Sequence, residues 1–327
     1  MTNNKTAVVY IAYGPDYLHK QVILSILTLY YFLSEKKEFQ KISLIVYTDN
    51  REIFEDNLPG INIIFEILTF PKIKEYIGKF NHIHRLKICV LRQCLQVYKS
   101  TILYVDSDTY FLKSPSQLID EISEKKTILH IKEFKLNEGG VHWNYAWGKT
   151  LKLVKKHIFK LQEKEFKMDN DAEMWNAGVI GISFSNLFLL DDVLQLTDQI
   201  SEKSSFFVAE QFAFSYIFLI KTSIIPAYEF IYHYLYPHLK ETYNFHINIF
   251  LKENKDTTIN SKAEKAMLLT KRRNELSLPK GTKIEELKKK IQKMRKYKQS
   301  DFDLFMYNLG FVLKSKVRVY LSSLTKT

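Results

Sequence analysis

Short apolar runs alternate with helical stretches over the first hundred residues, and this alternation limits the fold more than any other feature. Ala7–Ala12 (AVVYIA), Ile42–Thr48 (ISLIVYT), Ile61–Leu68 and Ile102–Val105 (ILYV) read as buried strands. Between them, Val22, Ile26, Leu29 and Leu33 repeat at helical spacing within Leu18–Leu33. Ile83, Leu86, Val90, Cys94 and Val97 do the same within His82–Tyr98. Strands that are apolar throughout need cover on both faces, and a β-α-β order supplies it with helical crossovers. The expected fold is therefore α/β, with a mixed, mostly parallel, Rossmann-like sheet flanked by helices.

The middle of the chain is less regular. Lys132 to Asp171, with Gly139, Gly140, Trp143 and Trp147, reads as a long excursion over one face. Trp175–Phe184 (WNAGVIGISF) returns to strand character, and Leu187–Glu202 and Ala209–Ile220 read as helices. Phe230–His238 is aromatic-rich and carries two histidines.

Charge divides the chain. Between Lys252 and Lys298 there are sixteen Lys and Arg against six acids, so this window holds ten of the twelve net positive charges. Residues 1–250 are read as the main domain and 251–327 as a basic helical appendage. In the appendage, Ile284–Tyr297 fits a basic helix, and Phe302–Leu324 is amphipathic with Phe305, Leu309, Val312 and Leu313 on one face. Such a tail suits an anionic membrane surface, or it packs on the domain or on a second subunit. A nucleic-acid partner is not expected, because the charge is confined to the tail rather than spread over a face with interleaved aromatics. Cys89 and Cys94 lie five apart, about 140° around a helix, so they do not bridge. The absence of a disulfide framework, of a signal peptide and of any long apolar run points to the cytoplasm, with a peripheral place on the inner face of the plasma membrane. The oligomeric state stays open.

The chemistry centres on Leu103-Tyr104-Val105-Asp106-Ser107-Asp108-Thr109. A buried strand runs straight into two acids, and open α/β sheets bind ligands at the carboxyl ends of their strands. Two carboxylates so placed can share one Mg²⁺ or Mn²⁺, ions that favour oxygen ligands and often bridge a diphosphate. Further candidates follow from residue chemistry. Arg85 or Lys87, on the preceding helix, is suited to a diphosphate, with Arg85 preferred for its bidentate fork and Lys87 read as solvated. Tyr13 stacks on a base or packs in the core. Asp49 bonds a base or ribose, or closes a turn. Asn176 and Gly178 combine an amide with a backbone that a ligand can approach closely.

The stretch ILYVDSDTYFLKSP resembles the D-x-D signature of GT-A-type glycosyltransferases, and is similar in particular to glycosyltransferase family 8 and its bacterial relatives. Other likenesses follow in order, over about residues 7–240. Tyr10 to Ser25 resembles the strand and helix that receive the nucleotide base. His84-Arg85-Leu86-Lys87 resembles the helix whose basic residue lies near the diphosphate. Trp175-Asn176-Ala177-Gly178-Val179 resembles the N-[AS]-G segment bordering the donor sugar. Glu210-Gln211 resembles the acidic-Gln pair, and His233-Tyr234 the late His that completes the metal site.

The resemblance implies a GT-A fold and transfer of a sugar from a nucleotide-sugar donor, UDP favoured, to a glycan, lipid-linked or protein acceptor, with Mn²⁺ or Mg²⁺. It implies Asp106, Asp108 and His233 as metal ligands. It sets Tyr13, Gly14, Asp49, Arg85, Ser107 and Gly178 around the nucleotide diphosphate, and Asn176, Glu210 and Gln211 at the donor sugar. The chain departs from the pattern after His233, where the family's Gly, Lys and Trp are missing at their offsets, so His238 stays a rival ligand. An inverting reaction needs a base, for which Glu210, Asp171 and Asp192 are candidates. A sugar nucleotidyltransferase on the same fold is the nearest rival, but Tyr13-Gly14-Pro15 is no Gly-rich phosphate loop. A non-enzymatic nucleic-acid- or membrane-binding protein, and a glycan-binding scaffold that keeps the fold, are the others.

Overall fold

Strand β1 (Thr6–Ala12) lies near the middle of a seven-stranded sheet of order β12-β6-β11-β4-β1-β2-β3. The structure, a computed structural model, describes residues 6–34, 38–135, 154, 156–169, 172–203, 208–272 and 276. The readings of Gly139, Gly140, Trp143, Trp147, Asp171 and the segments 284–297 and 302–324 fall outside the described residues.

The strands are β2 (Ile42–Thr48), β3 (Ile63–Ile67), β4 (Ile102–Val105), β5 (Thr109–Phe111), β6 (Lys126–Leu129), β7 (Lys132–Lys135), β8 (Phe159–Leu161), β9 (Lys164–Phe166), β10 (Glu173–Trp175), β11 (Val179–Ile182), β12 (Ser223–Pro226) and β13 (Ile231–His233). The helices are α1 (Asp16–Ser34), α2 (Glu52–Asn57), α3 (Phe70–Ile77), α4 (Arg85–Tyr98), α5 (Ser116–Asp120), α6 (Leu187–Lys203), α7 (Ala209–Lys221), α8 (Pro237–Glu253) and α9 (Ile259–Lys271). The mixed, mostly parallel sheet is the one that the β-α-β order predicts. β1 pairs in parallel with β2 and β4, β2 with β3, and β6 with β12, while β11 runs antiparallel to both β4 and β6.

Successive side chains of β1 feed two separate cores, since neighbours on a strand point to opposite faces. Ala7 and Val9 pack with α4, α6 and α7, through residues such as Leu91, Leu95, Leu196 and Phe214. Val8, Tyr10 and Ala12 pack with α1, α8 and α9, through Ile23, Leu27, Tyr243, Ile247 and Ala263. Cover on both faces explains why these strands are apolar at every position; each Val, Leu or Phe so buried contributes about 1.5–3 kcal/mol.

The structure details two stretches that the sequence outlines. The run Trp175–Phe184 is not one strand but β10 and β11, split at Asn176-Ala177-Gly178, and that break is part of the site. The domain boundary drawn at residue 250 lies inside α8, and α9 packs beyond it on α1 with Ala263, Ala266 and Met267 buried. Charged Glu264, Lys265 and Lys271 of α9 are exposed. Even Lys262 is buried, donating from Nζ to the carbonyl of Asn57 at 3.0 Å. Cys89 and Cys94 are free thiols, and among the described residues no helix is long and apolar enough to cross a membrane.

Candidate metal centre and active site

β4 ends at Val105, and β5 starts again at Thr109, so Asp106-Ser107-Asp108 forms the turn between them. Because β11 runs antiparallel to β4, its start lies beside this turn, and the Asp106 amide donates to the Gly178 carbonyl at 2.8 Å. β13 pairs with β5 and sets His233 opposite Thr109, while the Tyr234 amide donates to the Asp108 carbonyl at 3.0 Å. Three elements far apart in sequence thus deliver Asp106, Asp108 and His233 to one place, their ligand atoms all within 4.8 Å of one another.

The two carboxylates are held in the same manner. Asp106 Oδ1 accepts from the Tyr104 hydroxyl at 2.5 Å and lies 3.4 Å from Lys87 Nζ. Asp108 Oδ2 lies 2.5 Å from Lys240 Nζ. Their other oxygens turn inward to His233 Nε2, Asp108 Oδ1 at 3.2 Å and Asp106 Oδ2 at 4.0 Å. Burial works against the Asp108 charge, but the Lys240 ammonium beside it outweighs burial and holds its carboxyl well below the usual range. The same pairing raises Lys240 and Lys87 against burial, which alone would lower them.

The tautomer of His233 follows from hydrogen-bond bookkeeping. Asn176 donates from Nδ2 to Glu133 Oε1 at 3.1 Å and accepts at Oδ1 from the Gly178 amide at 2.9 Å. That same Oδ1 lies 3.0 Å from His233 Nδ1. A carbonyl oxygen accepts only, so Nδ1 carries a hydrogen, and the neutral form of the ring consistent with this presents a lone pair at Nε2. Two acceptors, Nε2 and Asp108 Oδ1, then face each other at 3.2 Å, an arrangement that calls for a proton or a metal ion between them. Two carboxylate oxygens and one imidazole nitrogen make a fitting donor set for Mn²⁺, and an outer-shell acceptor on the far ring nitrogen is how ligating histidines are usually held. Gly178 serves this packing: a Cβ there would lie 2.4 Å from the His233 ring.

Arg85 is not at this site. Its guanidinium grips Asp198 of α6, Nε to Oδ1 at 2.7 Å and the second arm to Oδ2 at 3.1 Å, and donates to the Tyr76 carbonyl at 2.8 Å. Positions two apart on a helix point about 200° apart, so Arg85 and Lys87 cannot share a face. Lys87 is the cation that enters, buried, with Nζ 3.4 Å from Asp106, 3.6 Å from Glu210 and donating to the Ala177 carbonyl at 3.0 Å.

Glu210 is buried at the start of α7, with His84 and His82 at 3.8 and 3.9 Å. Burial raises its carboxyl, but His84, His82 and Lys87 bring it down to about 2. So strongly held a carboxylate is a weak base, which counts against that role for Glu210. The Asp192 carboxylate is engaged by the Gln162 side-chain amide at 3.1 Å. Gln211 donates to Glu133 Oε2 at 3.0 Å, beside the Asn176 amide.

Tyr13, Gly14 and Asp49 meet at the carboxyl ends of β1 and β2. Asp49 Oδ2 accepts from the Gly14 amide at 2.8 Å, and Oδ1 lies 2.8 Å from Nε2 of buried His19. Gly14 has a φ of 83°, which favours glycine. Burial, then the Asp49 charge, pushes the Tyr13 phenol up to about 12. Ser107 donates to Gln21 Oε1 at 3.1 Å, which ties the acidic turn to α1. His238 begins α8, with its ring stacked on Tyr236 at 5.9 Å; among the described residues, the acidic and histidine group able to hold a metal contains His233 and not His238.

Sequence reasoning misses Lys240, Glu133 and Tyr104, and reads Lys87 as solvated where it is buried. Lys87 has a signal, since it shares the buried stripe of α4 with Val90, Leu91 and Cys94. Lys240, Glu133 and Tyr104 have none, because their partners come from other elements or depend on side-chain direction.

No family model matches the sequence, and no curated protein does. Among solved structures, the chain is similar to the galactosyltransferase LgtC in complex with donor and acceptor sugar analogues: 14% identity, TM-score 0.48, over 84% of this chain and 98% of that one. It is also similar to an active-site mutant of LgtC, with 15% identity and TM-score 0.45 over 68% of this chain and 73% of that one. Mouse xyloside xylosyltransferase 1, in its apo form, has 12% identity and TM-score 0.46 over 68% and 84%. At such identities and scores, function has to come from the chemistry of the site itself.

Proposed function

We propose that this protein is a metal-dependent glycosyltransferase that moves a sugar from a nucleotide-diphosphate donor, UDP favoured, to a glycan, lipid-linked or protein acceptor. One observation carries the reading: His233 Nε2 and the inner oxygens of Asp106 and Asp108 converge at the end of a central strand, with a lysine on the outer oxygen of each acid. The likeness of the Asp106 turn, the Asn176-Ala177-Gly178 segment and the Glu210-Gln211 pair to glycosyltransferase family 8 gives the reaction class.

Asp106, Asp108 and His233 would hold Mn²⁺ or Mg²⁺, which when bound supplies Lewis-acid stabilisation of charge on a leaving diphosphate. Lys87 and Lys240 flank that place and add fixed positive charge on either side, so leaving-group stabilisation does not depend on Arg85. Asn176 and Gln211 present amides on the donor-sugar side. Glu210 stays ionised and keeps Lys87 in place. Tyr13 and Asp49, set by Gly14 and His19, form the nucleoside end. The basic stretch beyond α9 brings the enzyme to an anionic leaflet at the cytoplasmic side, near a lipid-linked or surface acceptor, and no nucleic-acid partner is expected.

The test is a thermal-shift panel of nucleotide sugars with Mn²⁺, Mg²⁺ or chelator. A donor at a hundred times its Kd stabilises the folded state by about 2.7 kcal/mol. One nucleotide class should raise the melting temperature by several degrees with metal and by much less with chelator. Equal curves across the whole panel would defeat the proposal.

A further inference from the structure

We infer that Glu133 is a positioning residue: acting through the Asn176 amide, it fixes the His233 tautomer that leaves Nε2 open to a cation. This rests on the metal reading above and adds to it a residue that never touches the ion.

The backbone already immobilises Asn176. Its amide donates to the Ile131 carbonyl at 2.8 Å, and its carbonyl accepts from the His130 amide at 3.0 Å. β7 and β10 pair antiparallel with a register irregularity between Met174 and Trp175, and Glu133 bonds Asn176, the residue that follows β10. The half-turn of the Asn176 side-chain amide, which would exchange its oxygen for its nitrogen, is held by two partners: the Gly178 amide on Oδ1 and Glu133 on Nδ2.

A carboxylate accepts and never donates, so Glu133 Oε1 requires Nδ2 to face it. Oδ1 is then turned to the Gly178 amide at 2.9 Å and to His233 Nδ1 at 3.0 Å. With the amide reversed, Nδ2 would meet His233 Nδ1, the ring would take the other tautomer, and Nε2 would carry a hydrogen instead of a lone pair. Glu133 Oε2 meanwhile accepts from Gln211 at 3.0 Å. One carboxylate, on an exposed residue of β7, therefore orients the amide behind the metal ligand and an amide on the sugar side. Outer-shell partners of this kind commonly change metal affinity by about ten- to a hundredfold.

The test compares wild type, Glu133→Gln and Glu133→Gln with Asn176→Asp, all without nucleotide. The amide that Glu133→Gln introduces has an oxygen that accepts and an NH₂ that donates. Its oxygen suits Gln211, which leaves its NH₂ against the Asn176 NH₂. The second substitution turns that clash back into a donor facing a carboxylate, and gives His233 Nδ1 an acceptor again. Mn²⁺ binding is followed by electron paramagnetic resonance, the ring tautomer by long-range ¹H–¹⁵N NMR of neutral His233, and folding by thermal melting. The wild-type ring should show Nδ1–H. Glu133→Gln should bind Mn²⁺ about tenfold more weakly and gain Nε2–H. The double variant should recover most of both.

A Glu133 that merely contacts substrate or stabilises the fold would move neither Mn²⁺ affinity nor tautomer, and that result overturns the inference. So does loss of both in the double variant as well. Should the single variant fail to fold, a wild-type ring found as Nε2–H is by itself decisive against it. A wild type that takes up no Mn²⁺ overturns the metal reading and this inference together. A Glu133→Gln that binds Mn²⁺ as well as wild type overturns only the relay.

Discussion

Asp49 and the Asp106–Asp108 pair follow strands of one sheet, yet their carboxylates are treated in opposite ways. Both oxygens of Asp49 already have protein donors, the Gly14 amide and His19. Asp106 has a hydroxyl donor and Asp108 an ammonium against its outer oxygen, and both turn their inner oxygens toward Nε2 of a histidine. A carboxylate filled by its own chain shapes a surface. Acceptors that converge without a donor ask for a cation. On the proposed function, that difference sets the nucleoside beside Asp49 and the metal beside Asp106 and Asp108.

The largest effect expected is at the lysine that joins the acids. Lys87→Met leaves Asp106 and Glu210 without their shared cation, and losing one partner of a buried pair costs about 3–5 kcal/mol. Arg85→Met should cost far less, since Arg85 and Asp198 are more exposed. Urea melts of the two variants compare them directly, and equal losses would show that Lys87 holds nothing special.

Next is the carboxylate contrast itself. Asp108→Asn should abolish Mn²⁺ binding and slow transfer by about 10²–10³-fold, the scale on which loss of a group stabilising the leaving charge is felt. Asp49→Asn should leave Mn²⁺ binding intact and raise the donor KM by roughly tenfold, the scale of a lost hydrogen bond to a charged group. Steady-state kinetics with a metal titration separates the two, and the comparison breaks if both variants lose Mn²⁺.

Gly178→Ala comes third. Its Cβ meets the His233 ring at 2.4 Å, and overpacking of this sort costs about 1–3 kcal/mol. Thermal melts should show that loss together with weaker Mn²⁺ binding, whereas Gly14→Ala, with nothing within 4 Å of its Cβ, should act only through its φ of 83°.

The smallest effect is in acid. Asp108 is held well below the ordinary range, and Glu210 at about 2, so each binds a proton more weakly folded than unfolded. Their stabilisation is present above the unfolded carboxyl range of about 4 and is lost as pH falls from there toward about 2. Urea midpoints should drop over that window, and Lys240→Met should reduce the Asp108 share of the drop.

The sheet is legible in the sequence because its central strands β1, β4 and β11 are apolar nearly throughout; Ile102–Val105 is a strand at the bounds its apolar run gives. The position of the acidic turn is legible for the same reason, since the apolar run stops at Val105 and Asp106 follows directly. The phase of α4 holds information that residue chemistry alone overlooks: Lys87 lies on the apolar stripe and Arg85 off it. Lys240 and Glu133 are not legible, because their partners are 132 and 43 positions away and nothing local marks them. The break at Asn176 is hidden inside an apolar run whose composition suits a single strand. The charge step near residue 250 does not show that α9 turns Ala263 and Ala266 inward to the core, because composition reports surfaces.

The direct test of the metal claim is anomalous diffraction from crystals grown with Mn²⁺ and a nucleoside diphosphate. One manganese peak should appear bounded by Asp106, Asp108 and His233 Nε2, with the diphosphate between it and Lys87 or Lys240. A cleft with nucleotide but no manganese there, and Lys87 and Lys240 still closed on the two acids, would contradict the account.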